Sequence, residues 1–379
     1  MKVTVLGAGN GARAVSGDLA LRGHEVRLWE HPAFFKNIEG ILKNNLRIVL
    51  KGEVEGVAAL SAVTTDPREA VSGADIIYCV MPSFGQEAAF DFIAPFVEEK
   101  QKIVIMPGNL GSISLYMRLK KRGIEKDVLI GESDTIPYAT RIQPDGSSLV
   151  FGLKEGMWMA AMPGDRTQEL INCVSGACPI ALNPLPDVIS AALANTNMIL
   201  HCPTMIMNAG RIESGERFRF YNDGMTESVC KVMEAMDGER LAVGRAWGYD
   251  LVSEYEDAIS NYGLNRDKYK SLREIFANHP VYGNHGADSP TSMSFRYLTE
   301  DVPFLLYPLY EMGEMANVPT PVISAIIKIA EVIGGADYKK HGRGMRALGF
   351  EGLSPREVRM FSACGDFGPG IYWQAAPRI

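Results

Sequence analysis

Along the first half of the chain, apolar positions come in short, nearly continuous runs; along the second half they recur at helical spacing. The opening run Val3-Thr4-Val5-Leu6 is β-branched and apolar and predicts a strand. A helical stretch to Arg22 follows, then Gly23, then a second strand over Glu25-Val26-Arg27-Leu28-Trp29. Ala74–Pro82, Lys102–Pro107 and Asp127–Glu132 are again apolar without alternation, as strands buried on both faces of a parallel sheet are. Asp66-Pro67-Arg68-Glu69 sets an N-cap residue, a proline at the first helical position and a capping-box glutamate in a row, which predicts a short helix. Strands and helices thus alternate from Met1 to about Leu182. At Pro184-Leu185-Pro186-Asp187 the texture changes, and a hinge is expected there. Beyond it the period predicts helices over Val188–Arg211, Met225–Trp247, Asp301–Asn317 and Thr320–Ile333, the first kinked at Pro203.

This pattern predicts an α/β chain with an N-terminal Rossmann-type doubly wound sheet over residues 1–183. An all-helical C-terminal domain over 187–379 follows, and substrate would be caught between the two. The length of 379 residues exceeds what one core usually serves. Composition alters little, at 46% apolar and 22% charged. A net charge of −7 argues against nucleic acid as a partner, and no basic run suggests an anionic membrane surface. No apolar stretch approaches the ~18 residues of a spanning helix. A strand starting at residue 2 leaves no room for a targeting peptide, so a cytoplasmic location is expected. Cys79, Cys173, Cys178, Cys202, Cys230 and Cys364 show no CxxC spacing and read mostly as buried free thiols; no metal site is expected.

Gly7-Ala8-Gly9-Asn10-Gly11-Ala12 sits between the first strand and the first helix, the context in which a glycine loop cradles a pyrophosphate. Gly7 permits the tight turn, Gly9 lets backbone approach the phosphates, Asn10 opens the helix, and Ala12 is small enough for close packing. Glu30 ends the second strand, where a carboxylate can accept from both ribose hydroxyls and would repel a 2′-phosphate. The expected cofactor is therefore NAD, with NADH preferred over NADPH. Pro82-Ser83-Phe84, Gly108-Asn109 and Thr135-Ile136-Pro137 follow strand ends and are expected along the nicotinamide half of the site; each also reads as an ordinary turn.

Hydride chemistry at a carbon bearing oxygen or nitrogen needs a positioned proton donor. Two-domain dehydrogenases resembling the glycerol-phosphate, hydroxyisobutyrate or ketopantoate enzymes draw a lysine from the first helices after the hinge. Here no lysine lies between Lys154 and Lys231. The one histidine in that stretch is His201, a helical turn after Asn197 and beside Pro203; it reads equally as a satisfied core histidine. His24, His31 and His341 read as structural, while His279 and His285 in the loop Asn278–Asp288 remain competitors. An orienting carboxylate is found in Asp301, at a predicted helix start where the dipole favours an ionised acid; a plain helix cap is the simpler reading.

The segment Arg296-Tyr297-Leu298-Thr299-Glu300-Asp301-Val302-Pro303, with His201 far upstream, resembles the octopine/nopaline (opine) dehydrogenase family. Thr135-Ile136-Pro137-Tyr138-Ala139-Thr140-Arg141 is similar to that family's Thr-Leu-Pro-aromatic-Ala-Cys-Arg turn, with Thr140 in place of cysteine. Ala316-Asn317-Val318-Pro319-Thr320-Pro321 also fits, and the likeness runs from the Gly7 loop to about Gly335. It implies reductive condensation of a 2-oxo acid, pyruvate-like, with the amine of an amino acid, using NADH or NADPH and giving a secondary amine with two carboxylates. It further implies His201 as general acid/base with Asp301 as its partner. Arg296 would touch the cofactor pyrophosphate and couple its arrival to domain closure. Thr135 and its turn would contact the amino-acid substrate. Asn197 and Arg141 are expected beside substrate, and Arg211, Arg217, Arg219 and Arg296 are also available for its two carboxylates, although most read as solvated charges. Two rivals stay open: a 2- or 3-hydroxy acid dehydrogenase of similar build, and a non-catalytic NAD-binding sensor with no use for the His201–Asp301 pair. The oligomeric state is not legible.

Overall fold

The structure is a computed structural model that describes residues 1–284 and 288–367. It divides into two compact units, Met1–Ala191 with Ser362–Gly365, and a second built on Ala192–Phe361.

The first unit is laid on a sheet whose core strands are β1 (Lys2–Leu6), β2 (Glu25–Trp29), β5 (Ala62–Thr64), β6 (Ile76–Cys79), β7 (Lys102–Ile105) and β8 (Leu129–Ser133). They are parallel and lie in the spatial order β5-β2-β1-β6-β7-β8. The order reverses between β1 and β6, the switch point where such sheets bind nucleotides. All four residues of β6 are buried, which explains its apolar run; the strand is shorter than Ala74–Pro82. β11 (Gly156–Met162) adds to β8 in the antiparallel sense, and β12 (Ala181–Pro184) completes the eight strands.

A second sheet, of β3 (Arg47–Gly52), β4 (Gly56–Ala59), β9 (Tyr138–Ile142) and β10 (Ser148–Leu153), was not legible in the sequence. It packs over the first helix, Asn10–Leu21: Ile48, Leu50, Tyr138 and Val150 share one core with Val15 and Leu19. The Tyr138 hydroxyl donates to buried Asp18 at 2.7 Å. This sheet carries the Thr135–Arg141 segment to the glycine loop, because the Ile142 N–H donates to the Asn10 side chain at 2.8 Å.

The short helix expected after Asp66 forms over Pro67–Val71, and the Asp66 carboxylate caps the Arg68 N–H. Its capping box does not close, since the Thr64 hydroxyl takes the Asp66 N–H.

The second unit is helical. Glu227–Ala246 turns Val229, Met233, Met236 and Val243 inward at the spacing of a helical stripe. The same stripe buries Arg240, which donates to Asp237 and to the carbonyls of Leu193 and Val252, a satisfied buried ion pair. The expected helix over Val188–Arg211 is three helices, Val188–Ala194, Asn197–Met207 and Ala209–Glu213. The breaks fall at asparagines rather than at Pro203, through which the middle helix runs unbroken. The Asn195 side chain accepts the Asn197 N–H and restarts the helix, and Asn208 turns its amide to the Thr204 and Gly224 carbonyls. The Asn278–Asp288 segment, expected as loop, begins with the helix Pro280–Asn284. Among the described residues no helix is long and apolar enough to cross a membrane; Cys79, Cys178, Cys202 and Cys230 are buried.

Candidate active site

The nucleotide end of the first unit is built by its backbone. Gly7 has φ +102°, and a Cβ there would meet the Val80 carbonyl at 2.6 Å, so only glycine fits where β1 meets the loop after β6. A Cβ on Gly9 would meet nothing within 4 Å, so the space over the N-terminus of the Asn10–Leu21 helix is open. Ala12 is fully buried on that helix. A close backbone, an open space and a helix N-terminus are what a pyrophosphate requires, so this loop fits NAD. Glu30 is buried at the end of β2, where its carboxylate accepts from the Ala8 N–H at 3.1 Å and from Asn37 at 2.9 Å.

Along the neighbouring strand ends, Pro82 precedes the helix Ser83–Ile93, and the Ser83 hydroxyl accepts from the Asn109 side chain at 2.9 Å. Asn109 and Leu110 hold left-handed backbone, φ +52° and +66°. Buried Glu132 stabilises this turn by accepting from the Leu110 and Ser112 N–H groups, each at 3.0 Å. Glu132 was missed by sequence reasoning; the signal was an acid closing an otherwise apolar strand. Thr135 accepts a hydrogen bond from the Lys154 ammonium at 3.0 Å, a second contact the sequence did not reveal. Arg141 is half-buried on β9, and the buried Thr140 hydroxyl has no hydrogen-bond partner.

In the second unit, His201 and Asp301 come together. Nδ1 of the imidazole lies 2.7 Å from the Asp301 carboxylate, both side chains being buried. Asp301 immediately precedes a π-helical turn, Val302–Leu306, but makes no side-chain cap. The plain-cap reading is therefore set aside: the carboxylate points at the histidine. Asn197 opens the helix that carries His201 four residues on. Two tyrosines pack against the imidazole. The Tyr297 ring stacks on the imidazole at 3.7 Å between centroids and 18° between planes, and the Tyr221 hydroxyl lies 3.0 Å from Nε2. Tyr297 belongs to the Arg296–Pro303 block, but Tyr221 sits in a turn whose only signal is its aromatic neighbours Phe218 and Phe220.

The other candidates lie elsewhere in their units. Exposed Arg296 pairs with Glu300 at 3.2 Å. Half-buried Arg211 pairs with Glu216 and exposed Arg219 with Asp223, each at 2.7 Å. His279 accepts the N–H groups of Val281 and Tyr282 at the start of its helix, a structural role. His31 accepts the Ala33 N–H in the same way. His285 lies outside the described residues.

Two family models match different parts of the chain. The family described as NAD/NADP octopine/nopaline dehydrogenase, alpha-helical domain, matches residues 184–333, which span both His201 and Asp301. The NAD-dependent glycerol-3-phosphate dehydrogenase N-terminus matches residues 2–118. An opine dehydrogenase of Arthrobacter sp. (strain 1C) is 30% identical over 94% of this chain and 97% of its own. The ocs protein of Agrobacterium tumefaciens (strain Ach5) is 27% identical over 94% and 98%. A solved octopine dehydrogenase with NADH and L-arginine superposes with a TM-score of 0.75 at 21% identity, covering 94% of this chain and 97% of that one.

Proposed function

This chain belongs to the octopine/nopaline dehydrogenase family of NAD-dependent oxidoreductases acting on CH–NH bonds, and from that premise we propose that it condenses a 2-oxo acid such as pyruvate with the amine of an amino acid. The observation that carries this reading is the buried 2.7 Å pair of His201 and Asp301 within the matched helical segment.

With Asp301 accepting the Nδ1–H, the neutral imidazole keeps its lone pair on Nε2, and Asp301 stabilises the imidazolium once Nε2 gains a proton. His201 is then the acid that polarises the oxo group and assists loss of water from the carbinolamine. NADH, when bound, would supply the hydride for reduction of the imine carbon. Gly7, Gly9, Asn10 and Ala12 would seat the cofactor, Glu30 its ribose, Pro82, Ser83 and Asn109 the nicotinamide side, and Arg296 the pyrophosphate. Thr135, Asn197 and Arg141 would contact substrate; Lys154, bonded to Thr135, adds a positive charge suited to a substrate carboxylate. The buried thiols of Cys178, Cys202 and Cys230 fit a reducing compartment and hence the cytoplasm.

The test is a matrix of 2-oxo acids (pyruvate, glyoxylate, 2-oxoglutarate) against amino acids and small amines, scored by NADH loss and by the mass of the product. NADH oxidation should require both partners. Oxidation with the oxo acid alone would instead identify a hydroxy acid dehydrogenase, and NADH binding without turnover under any pairing would identify a sensor.

A further inference from the structure

Both ring nitrogens of His201 are engaged within the helical unit: Nδ1 with Asp301 at 2.7 Å and Nε2 with the Tyr221 hydroxyl at 3.0 Å. A substrate oxygen could reach Nε2 directly only if one of the two rings moved. Neither has room. The imidazole is stacked under Tyr297 at 3.7 Å. The buried Tyr221 ring is stacked on Tyr282 at 4.4 Å and on Phe276 at 6.1 Å, with Phe220 edge-on at 5.4 Å. A phenol can donate and accept through one oxygen, so the contact is satisfied whether Nε2 carries a lone pair or a proton.

We propose that Tyr221 is the catalytic residue in contact with the substrate oxygen, relaying the proton between that oxygen and His201. The proposal rests on the reading of His201 as acid/base of an imine-forming reduction. Overall, an ammonium, a 2-oxo acid, reduced nicotinamide and one proton give a secondary ammonium, oxidised nicotinamide and water, so one proton is taken from solvent per turnover. In the dehydration step the Tyr221 O–H bond breaks as the carbinolamine oxygen takes its proton. The Nε2–H bond of the imidazolium breaks as the Tyr221 oxygen takes that one. The carbon–oxygen bond then cleaves, water leaves, and the nitrogen lone pair forms the C=N bond. His201 and Tyr221 are both left neutral, and Asp301 stays ionised throughout.

The experiment compares wild type, Tyr221→Phe and protein carrying 3-fluorotyrosine at 221, with pyruvate and the best amine from the matrix. Tyr221→Phe should lower kcat about 10²-fold and convert a two-proton solvent isotope inventory into a one-proton one, while NADH affinity and Tm stay unchanged. The Nε2 resonance of 15N-histidine-labelled protein without substrate should shift in the same variant. The fluorinated protein, which keeps the hydroxyl and the packing, should change kcat at constant KM. A Tyr221→Phe protein with wild-type kcat and an unchanged inventory would overturn the relay while leaving the condensation reading intact. If Tyr221→Phe fails to fold, a fluorinated protein with wild-type kcat would overturn it equally. Absence of two-substrate NADH oxidation by the wild type would instead remove the reading on which the relay stands.

Discussion

Asp301 reaches across 100 residues of sequence to place its carboxylate 2.7 Å from Nδ1 of His201. The aspartate leaves its own helix start uncapped to do so. Exchanging the carboxylate for an amide preserves shape but lets Nδ1 lose its acceptor, which allows the wrong tautomer. Asp301→Asn should therefore lower kcat about 10³–10⁴-fold and shift Tm by no more than about 2–4 °C. Thermal melting beside steady-state rates checks this; a large fall in Tm with a matching fall in folded protein would make Asp301 a structural residue.

Glu30 already accepts the Ala8 N–H of the glycine loop, so its carboxylate faces the turn where the ribose is expected. Like charge against a 2′-phosphate should make kcat/KM with NADH exceed that with NADPH by more than tenfold, about 1.4 kcal/mol. Glu30→Ala should narrow the ratio while weakening NADH itself. Equal efficiency of the two cofactors in the wild type would refute the assignment of Glu30.

The buried acid Glu254 answers to pH differently. Burial pushes its carboxyl well above its ordinary value near 4.5, and neighbouring Asp257 pushes in the same direction. Its second oxygen is buried without a partner. The folded state holds this proton more tightly than the unfolded chain does. The resulting stability is full below about pH 4.5 and is lost as pH rises towards the folded pKa. Wild-type Tm should thus fall between pH 5 and 8 by about 2–4 °C more than that of Glu254→Gln, which cannot ionise. Parallel Tm curves for the two proteins would contradict the burial argument.

The parts of this molecule legible in its sequence are those where one residue type does one physical job. The strand, Gly7 turn, helix and Glu30-terminated strand all follow from local pattern, and the structure forms them. His201 was indistinguishable by pattern from a core histidine, and only the likeness of the Arg296–Pro303 block singled out the pair. The second sheet escaped because its strands make their core with the glycine-loop helix rather than within themselves, as Leu50 and Val150 do. The split of the first long helix escaped because Asn195 and Asn208 act through side-chain bonds that depend on tertiary neighbours, whereas Pro203, the obvious breaker, is tolerated inside the helix. Tyr221 carried only the signal of its aromatic neighbours Phe218 and Phe220, and nothing local says which tyrosine faces an imidazole a full helix away.

The His201 imidazole is the centre of the proposed chemistry, and His201→Ala is its sharpest probe. Measured with NADH, a 2-oxo acid and an amino acid at saturation, the variant should lose about 10²–10⁴-fold in kcat while binding NADH with wild-type affinity. Wild-type turnover by His201→Ala would contradict the account.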